Sequence, residues 1–248
     1  MRRLATLVAV VSLATLLHAQ TAPVRVIASN GVKTLVEDLV PAWEKSSGRT
    51  ATVTYGTSSV LVKDIAGGAP FDVVIATTDA IDQISRTGKV TTERPTTIAR
   101  SVVGVGVKQG SPRPRIATAA EIKQAFLTAK AVTYAGDGAS RPGIEKMFAT
   151  LGVADALKRK SLLERGSNGA IARVAAGDAD LLLTLVSEII PAPGMELVGP
   201  LPNEFRSEVV FAAAVSATAT DTPAARALLA SLLSREATAT LKKKGLER

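Results

Sequence analysis

Residues 24–76 read VRVIASNGVKTLVEDLVPAWEKSSGRTATVTYGTSSVLVKDIAGGAPFDVVIA, and this stretch decides the fold class. Three apolar runs of strand length lie at residues 24–28, 51–55 and 72–76. Between the first two, residues 32–46 carry apolar side chains at helical spacing, and Gly48 follows as a helix-ending residue. Residues 60–66 predict a second, shorter helix. The stretch therefore predicts a β-α-β-α-β unit whose strands run parallel.

The remainder of the chain continues the alternation of strands and helices. A long apolar run at residues 98–107 predicts an extended strand. Further helices are predicted at 120–127, 143–151, 154–160 and 168–176, and further strands at 131–135, 161–164, 180–186 and 207–215. Residues 191–205 contain four prolines and are predicted as an irregular connection. A final helix starts near residue 223, and we expect it to pack back on the first unit.

The first 19 residues have the features of a signal peptide. Arg2 and Arg3 precede an apolar run at residues 4–17. This run is shorter than the roughly 20 apolar residues that a membrane anchor needs. Ala19 is a suitable last residue before cleavage. We therefore expect residues 1–19 to be removed and the mature chain to be periplasmic.

The composition excludes several kinds of chemistry. The 248 residues include no Cys and one His, which is His18 in the segment expected to be removed. Thiol catalysis, Ser-His-Asp hydrolysis, zinc fingers and disulfide scaffolds therefore lack their residues, and only a carboxylate-held metal or a Ser, Lys or carboxylate nucleophile remains possible. Aromatic residues make up 3% of the chain, which argues against stacking of bases or sugars. We expect no cofactor, no metal site and no catalytic residue. Because Cys and His are lacking, an enzyme would need a Lys, Ser or carboxylate centre.

The positive charge does not form a nucleic-acid surface. Removal of Arg2 and Arg3 with the signal segment lowers the formal charge from +8 to +6. The basic residues are scattered, with small clusters at 158–160 and 242–244, whereas nucleic-acid binding requires a continuous basic stripe. We expect no nucleic-acid partner and only a mild attraction for anions.

Four strand-to-helix turns hold the candidate binding residues. These candidates are Ser29, Asn30, Gly31, Thr57, Ser58, Ser59, Arg141, Ser167 and Asn168. Helix capping alone explains any one such turn. In a doubly wound sheet, however, the turns gather at the carboxyl ends of the strands, where helix N-termini present free N–H groups that suit an oxyanion. The sequence therefore predicts a small anionic ligand.

The chain resembles the periplasmic molybdate-binding proteins, which belong to the type II solute-binding proteins that serve ABC importers. The resemblance spans residues 27–84 and is most specific in GTSS at 56–59 and GGAPFDVVIATT at 67–78. It continues more weakly through residues 136–152, 168–188 and 225–246.

The resemblance implies the two-lobed type II periplasmic-binding-protein fold. This is an α/β fold in which each lobe has a mainly parallel sheet flanked by helices. We expect lobe one at residues 20–100 plus 208–248, and lobe two at residues 101–207. It further implies a monomer that closes by a hinge on a small oxyanion such as molybdate or tungstate. The protein would then deliver this anion to the membrane permease of an ABC importer.

The binding positions of the resembled family carry over in part. A family serine falls on Ser58, and a backbone donor falls on Ser167. The serine of the first turn falls on Gly31, which leaves Ser29 or Asn30 to supply a side-chain donor. The family's tyrosine falls on Leu185. These departures keep other anions open, namely a small carboxylate, sulfate or phosphate.

Three further questions stay open at this level. Arg141 is either a surface residue beside Pro142 or a charged clamp on the ligand. Asp72 either caps a helix or pairs across the lobes. A periplasmic sensor or an enzyme on the same scaffold remains an alternative to transport.

Overall fold

In the computed structural model, the described residues are 22–91 and 94–248, and they form nine β-strands and ten α-helices. The predicted signal segment, residues 1–19, lies outside the described residues. The strands are β1 Val24–Ser29, β2 Ala51–Gly56, β3 Val73–Thr77, β4 Thr96–Lys108, β5 Val132–Ala135, β6 Ser161–Glu164, β7 Leu181–Leu185, β8 Met195–Pro200 and β9 Glu208–Val215. The helices are α1 Lys33–Ser47, α2 Ser58–Ala66, α3 Thr78–Ser85, α4 Ala119–Thr128, α5 Arg141–Thr150, α6 Ala154–Lys158, α7 Gly166–Ala176, α8 Val186–Ile189, α9 Thr222–Leu232 and α10 Arg235–Lys243.

The strands form a curled sheet in the order β2-β1-β3-β9-β4-β7-β5-β6, with β8 also paired to β4. We call β2, β1, β3 and β9 the first half-sheet, and β7, β5, β6 and β8 the second half-sheet. Strands β1, β2 and β3 pair in parallel, as do β5, β6 and β7, whereas β4 and β9 pair antiparallel to their neighbours. The parallel β-α-β-α-β unit predicted from residues 24–76 is confirmed.

Strand β4 belongs to both half-sheets. Residues 96–102 pair with β9, and residues 103–108 pair with β7 and β8. A Cβ atom at Gly104 would lie 2.9 Å from Val186 Cγ2 and 3.0 Å from the carbonyl oxygen of Gly199, so this glycine permits a close backbone approach. The predicted lobe boundaries fall inside β4, between residues 100 and 101, and directly before β9. The division into these lobes stays a prediction.

The structure corrects the prediction for residues 191–205. This segment contains β8, which pairs antiparallel with β4. Its prolines lie before the strand, after it or, for Pro200, at its last residue, where a missing N–H does not interrupt the strand pairing. Prediction also missed α3, an eight-residue helix whose N-cap Thr77 accepts a hydrogen bond from the Ala80 N–H.

The helices cover the sheet and enclose the core. α9 and α10 pack against α1, which confirms that the end of the chain returns to the first unit. The predicted final helix is broken at Leu233 and Ser234, and the Ser234 hydroxyl caps α10. Within the described part of the chain, no helix has the length and apolar character needed to span a bilayer.

Asp72 joins three segments of the first half-sheet. Its side chain is 1% exposed, and its carboxylate accepts hydrogen bonds from the backbone N–H and the guanidinium of Arg25 and from the N–H of Thr220. Burial opposes ionisation, but these hydrogen bonds prevail and hold the pKa of Asp72 well below its ordinary value. Asp72 therefore ties β1 to β3 and to the segment after β9, and it does not pair across the half-sheets.

We expect Asp72→Ala to lower the free energy of unfolding by about 3 kcal/mol at pH 7, because it leaves the Arg25 guanidinium without its buried partner. The lowered pKa means that the wild-type carboxylate stabilises the fold above the pKa of the unfolded chain, about 3.9, and loses this effect as the pH falls. Urea unfolding at pH 7 and pH 3 should show the difference between the proteins shrinking at pH 3. The exposed Asp64→Ala variant is the control, and a wild-type free energy for Asp72→Ala would contradict the assignment.

Candidate functional site

The candidate site forms where the two half-sheets present the ends of their parallel strands. Ser29 at the end of β1 pairs in register with Gly56 at the end of β2, so the two following turns are neighbours. In the second half-sheet, Ala135 at the end of β5 likewise pairs with Glu164 at the end of β6. The turns of the two half-sheets therefore face each other across one cleft.

Contacts across the cleft involve Asp137, in the turn after β5. The Ser59 hydroxyl donates to the Asp137 carbonyl oxygen at 3.2 Å, and the Thr57 hydroxyl lies 3.5 Å from Asp137 Oδ2. The other carboxylate oxygen of Asp137 accepts a hydrogen bond from the N–H of Gly166, the first residue of α7, at 2.8 Å. The Asp137 side chain thus links the start of α2, which follows a strand of the first half-sheet, to the start of α7, which follows a strand of the second.

A cavity of about 30 Å³ lies beneath these contacts. This volume accommodates about two water molecules. The predicted residues that line it are Ser29, Asn30, Gly31, Thr57, Ser58 and Ser167. Gly138, Ala139 and Ser140 of the turn after β5 line it as well, so the structure brings all four predicted turns to one small cavity.

Helix α2 directs hydrogen-bond donors into the cleft. Its N-cap Thr57 accepts the N–H groups of Val60 and Leu61 through its hydroxyl and carbonyl oxygens. The N–H groups of Ser58 and Ser59 precede these in the first turn, where an α-helix offers no internal acceptor. The Ser58 hydroxyl accepts the Thr77 N–H at 3.1 Å, and its own proton remains available to a ligand. The helix start thus suits an anionic group.

Three of the predicted residues do not line the cavity. Arg141 lies on the outer side of α5, 41% exposed, and donates at 2.7 Å to Glu145 Oε1 and to the Gly136 carbonyl oxygen. Ser59 lines a wider outer cleft of about 740 Å³, and Asn168 is exposed. The structure therefore favours the surface interpretation of Arg141, because the residue one helical turn away satisfies its charge.

Apolar side chains occupy the space next to Gly31. A Cβ atom at Gly31 would lie 2.4 Å from Phe211 Cζ and 3.0 Å from Leu185 Cδ1. Phe211 and Leu185 also line the cavity and are nearly fully buried. The two departures from the resembled family, Gly31 and Leu185, are therefore one packing arrangement that Phe211 completes. Sequence reasoning missed Phe211, whose signal is an aromatic residue inside a β-strand of a chain that contains few aromatics.

Glu188 is the second cavity residue that sequence reasoning missed. Its carboxyl group accepts hydrogen bonds from the hydroxyls of Ser167, at 2.9 Å, and Thr184, and from the backbone N–H of Leu185. Burial raises its pKa, and these three hydrogen bonds oppose that shift. The available signal is its position at the third residue of α8, from which a glutamate reaches back to the N-cap residue.

The charges at the cavity differ from those expected of a simple anion site. Of the described residues that line it, Glu188 is the only ionisable one, and none is a lysine or an arginine. The described residues also contain no group of three or more His, Cys, Asp or Glu side chains that could hold a metal ion. The site therefore offers neutral donors from two helix starts and one carboxyl group.

The fold defines a class of protein, namely the two-lobed α/β proteins of the type II periplasmic-binding-protein fold. The chain belongs to the bacterial extracellular solute-binding proteins, whose family model matches residues 24–247.

Known proteins are similar to this chain in sequence or in structure. An aconitate isomerase from a Pseudomonas species is 27% identical over 229 residues, which cover 90% of this chain and 86% of that protein. The periplasmic molybdate-binding protein of Azotobacter vinelandii superposes with a TM-score of 0.78 at 17% identity, covering 91% of this chain and 99% of the other. The sulfate-binding protein SubI of Mycobacterium tuberculosis gives 0.73 at 19% identity, covering 91% and 86%. The predicted type II fold and the membership of a solute-binding-protein family are confirmed.

We expect Gly31→Ser to lower the free energy of unfolding by about 2 kcal/mol, because the new side chain overlaps Phe211. Phe211→Leu alone should cost about 1 kcal/mol. In the double variant the smaller leucine leaves room for the serine, so the combined loss should be smaller than the sum of the two. Urea unfolding of the four proteins measures this coupling, and strictly additive losses would contradict the packing described.

Proposed function

We propose that this protein is an exported, periplasmic receptor that closes its two lobes on a small anion and delivers the anion to the permease of an ABC importer. The observation that supports this function is the convergence of four strand-to-helix turns from both half-sheets on one cavity. The family of the chain and its solved neighbours, one a molybdate-binding and one a sulfate-binding protein, agree with it. The ligand we propose is an oxyanion or a small carboxylate.

Binding would use hydroxyl and backbone N–H donors of Thr57 and Ser58 and the backbone N–H of Ser167 in the first turn of α7. Neutral donors at helix starts bind an anion without the cost of burying further full charges. Ser29, Asn30 and Gly31 line another part of the cavity. Ser59, Arg141 and Asn168 stand outside this cavity and are left out of the proposed contacts.

The described cavity, of about 30 Å³, is smaller than the proposed anions, so the lobes would open to admit the ligand. Closure would then follow from contacts that the ligand makes to both lobes at once. The described conformation already has hydrogen bonds across the cleft, from Ser59 to Asp137 and from the Ser187 hydroxyl to the Gly31 carbonyl oxygen at 2.8 Å. A ligand held by α2 on one side and α7 on the other favours the closed form over the open form. The amount of closure then reports ligand binding to the permease.

The mature protein should show a higher midpoint of thermal unfolding with at least one anion of a panel of molybdate, tungstate, sulfate, phosphate, malate and succinate. A ligand at 100 times its Kd stabilises the folded form by about 2.7 kcal/mol. Ser58→Ala should weaken the best ligand about tenfold, because one hydrogen bond to a charged group is lost. Arg141→Ala is the matched control and should keep the wild-type affinity. The absence of any shift across the panel would exclude an anion site in this cavity.

A second candidate function is isomerisation of a carboxylate substrate. Two observations favour it, namely the relative that is an aconitate isomerase and the partly buried carboxyl group of Glu188 at the cavity. A carboxylate whose pKa is raised can take a proton from one substrate carbon and, as the acid, return a proton to another. Such a reaction consumes nothing and requires no imidazole, thiol or cofactor.

Incubation with cis-aconitate or trans-aconitate, followed by proton NMR in D₂O, tests this activity. If the protein is an isomerase, the other isomer should appear and carry deuterium. Glu188→Gln should then reduce turnover by about 100-fold or more, while Glu145→Gln, outside the cavity, should not. Binding of aconitate without any interconversion would reject the isomerase and leave the receptor.

A further inference from the structure

The carboxyl group of Glu188 has one acceptor position left for a ligand. A carboxylate offers about four lone-pair positions. Three donors already contact this one, namely the hydroxyls of Ser167 and Thr184 and the N–H of Leu185. Because the same side chain lines the cavity, we infer that the remaining position faces the ligand space.

No positive side chain at the cavity offsets this carboxyl group. Among the described residues, the lining set contains no lysine or arginine, and Arg141 is engaged by Glu145. The acidic group nearest in the cross-cleft contacts is Asp137, which also accepts hydrogen bonds. An anion that enters the cavity therefore meets neutral donors on the α2 side and an acceptor on the α8 side.

Contact with Glu188 has opposite effects on a fully ionised anion and on an anion that carries a proton. A fully ionised oxygen placed against the Glu188 carboxylate would have no proton between the two oxygens and would suffer like-charge repulsion in a poorly solvated space. An oxygen that carries a proton can instead donate a short, charge-assisted hydrogen bond to the carboxylate. A ligand with a hydrogen-bond donor should therefore bind more tightly in this cavity than a ligand of similar size without one.

Building on the anion-binding function above, we propose that Glu188 makes the cleft selective for anions that carry a hydrogen-bond donor, such as hydroxycarboxylates or hydrogen phosphate, over fully ionised anions of similar size. Glu188 is then a specificity-determining residue. The hydroxyls of Ser167 and Thr184 position its carboxyl group, and the start of α2 binds the charged end of the ligand.

Matched pairs of anions test this selectivity by isothermal titration calorimetry at pH 7.5. Phosphate carries a proton at this pH and sulfate does not, while malate differs from succinate by one hydroxyl group. In the wild-type protein, the donor-bearing member of each pair that binds should bind about 10- to 100-fold more tightly. In Glu188→Gln, whose amide can donate as well as accept, this ratio should fall to about threefold or less.

The ratio of affinities within each pair distinguishes a role of Glu188 in selectivity from a role in the stability of the fold. Loss of the α8 cap in Glu188→Gln would lower the affinities of both members of a pair alike and leave their ratio unchanged. The control is Glu196→Gln. Glu196 lies on β8, where it forms a partly exposed ion pair with Arg113, and this variant should keep the wild-type ratio of affinities.

Three results would overturn the proposal while the anion-binding function stands. The first is equal affinity within the pairs in the wild-type protein. The second is an affinity ratio that Glu188→Gln leaves intact, and the third is binding restricted to sulfate or molybdate. Absence of binding by phosphate, sulfate, malate, succinate and molybdate alike would overturn the anion-binding function, and the selectivity with it.

Discussion

The path of β4 through both half-sheets is the constraint on which the rest of the structure depends. Because residues 96–102 pair with β9 and residues 103–108 with β7 and β8, the two sets of parallel strands end at one cleft. The close approach at Gly104 packs Val186 of α8 against this strand. Glu188 follows two residues later, so the crossing strand also positions the one ionisable side chain that lines the cavity among the described residues.

The cavity combines features that work in opposite directions for stability and for binding. Neutral donors at the start of α2 would bind an anion at low desolvation cost. The partly buried carboxyl group of Glu188, with no cation among the described residues that line the cavity, is disfavoured in its ionised form because burial raises its pKa. Three hydrogen bonds reduce this cost. A residue that departs from the rules for a stable core is most readily explained by what the cavity binds.

The departures from the molybdate-binding pattern form a coherent arrangement in three dimensions. Gly31, Leu185 and Phe211 are separated along the chain but occupy one volume, since any side chain at position 31 would overlap the other two. A site altered in this way keeps the donors of α2 and α7 while it replaces polar groups on the remaining wall.

The sequence by itself determined the alternation of strands and helices, the turns that hold Ser58 and Ser167, and the absence of imidazole and thiol chemistry in the mature chain, because periodicity and composition are local properties. It also placed six residues that line the cavity. Only the tertiary structure decided that Arg141 pairs with Glu145, that Phe211 fills the space beside Gly31, and that Glu188 enters the cavity. These outcomes depend on which distant segments meet across the sheet, and chain order alone does not specify such contacts.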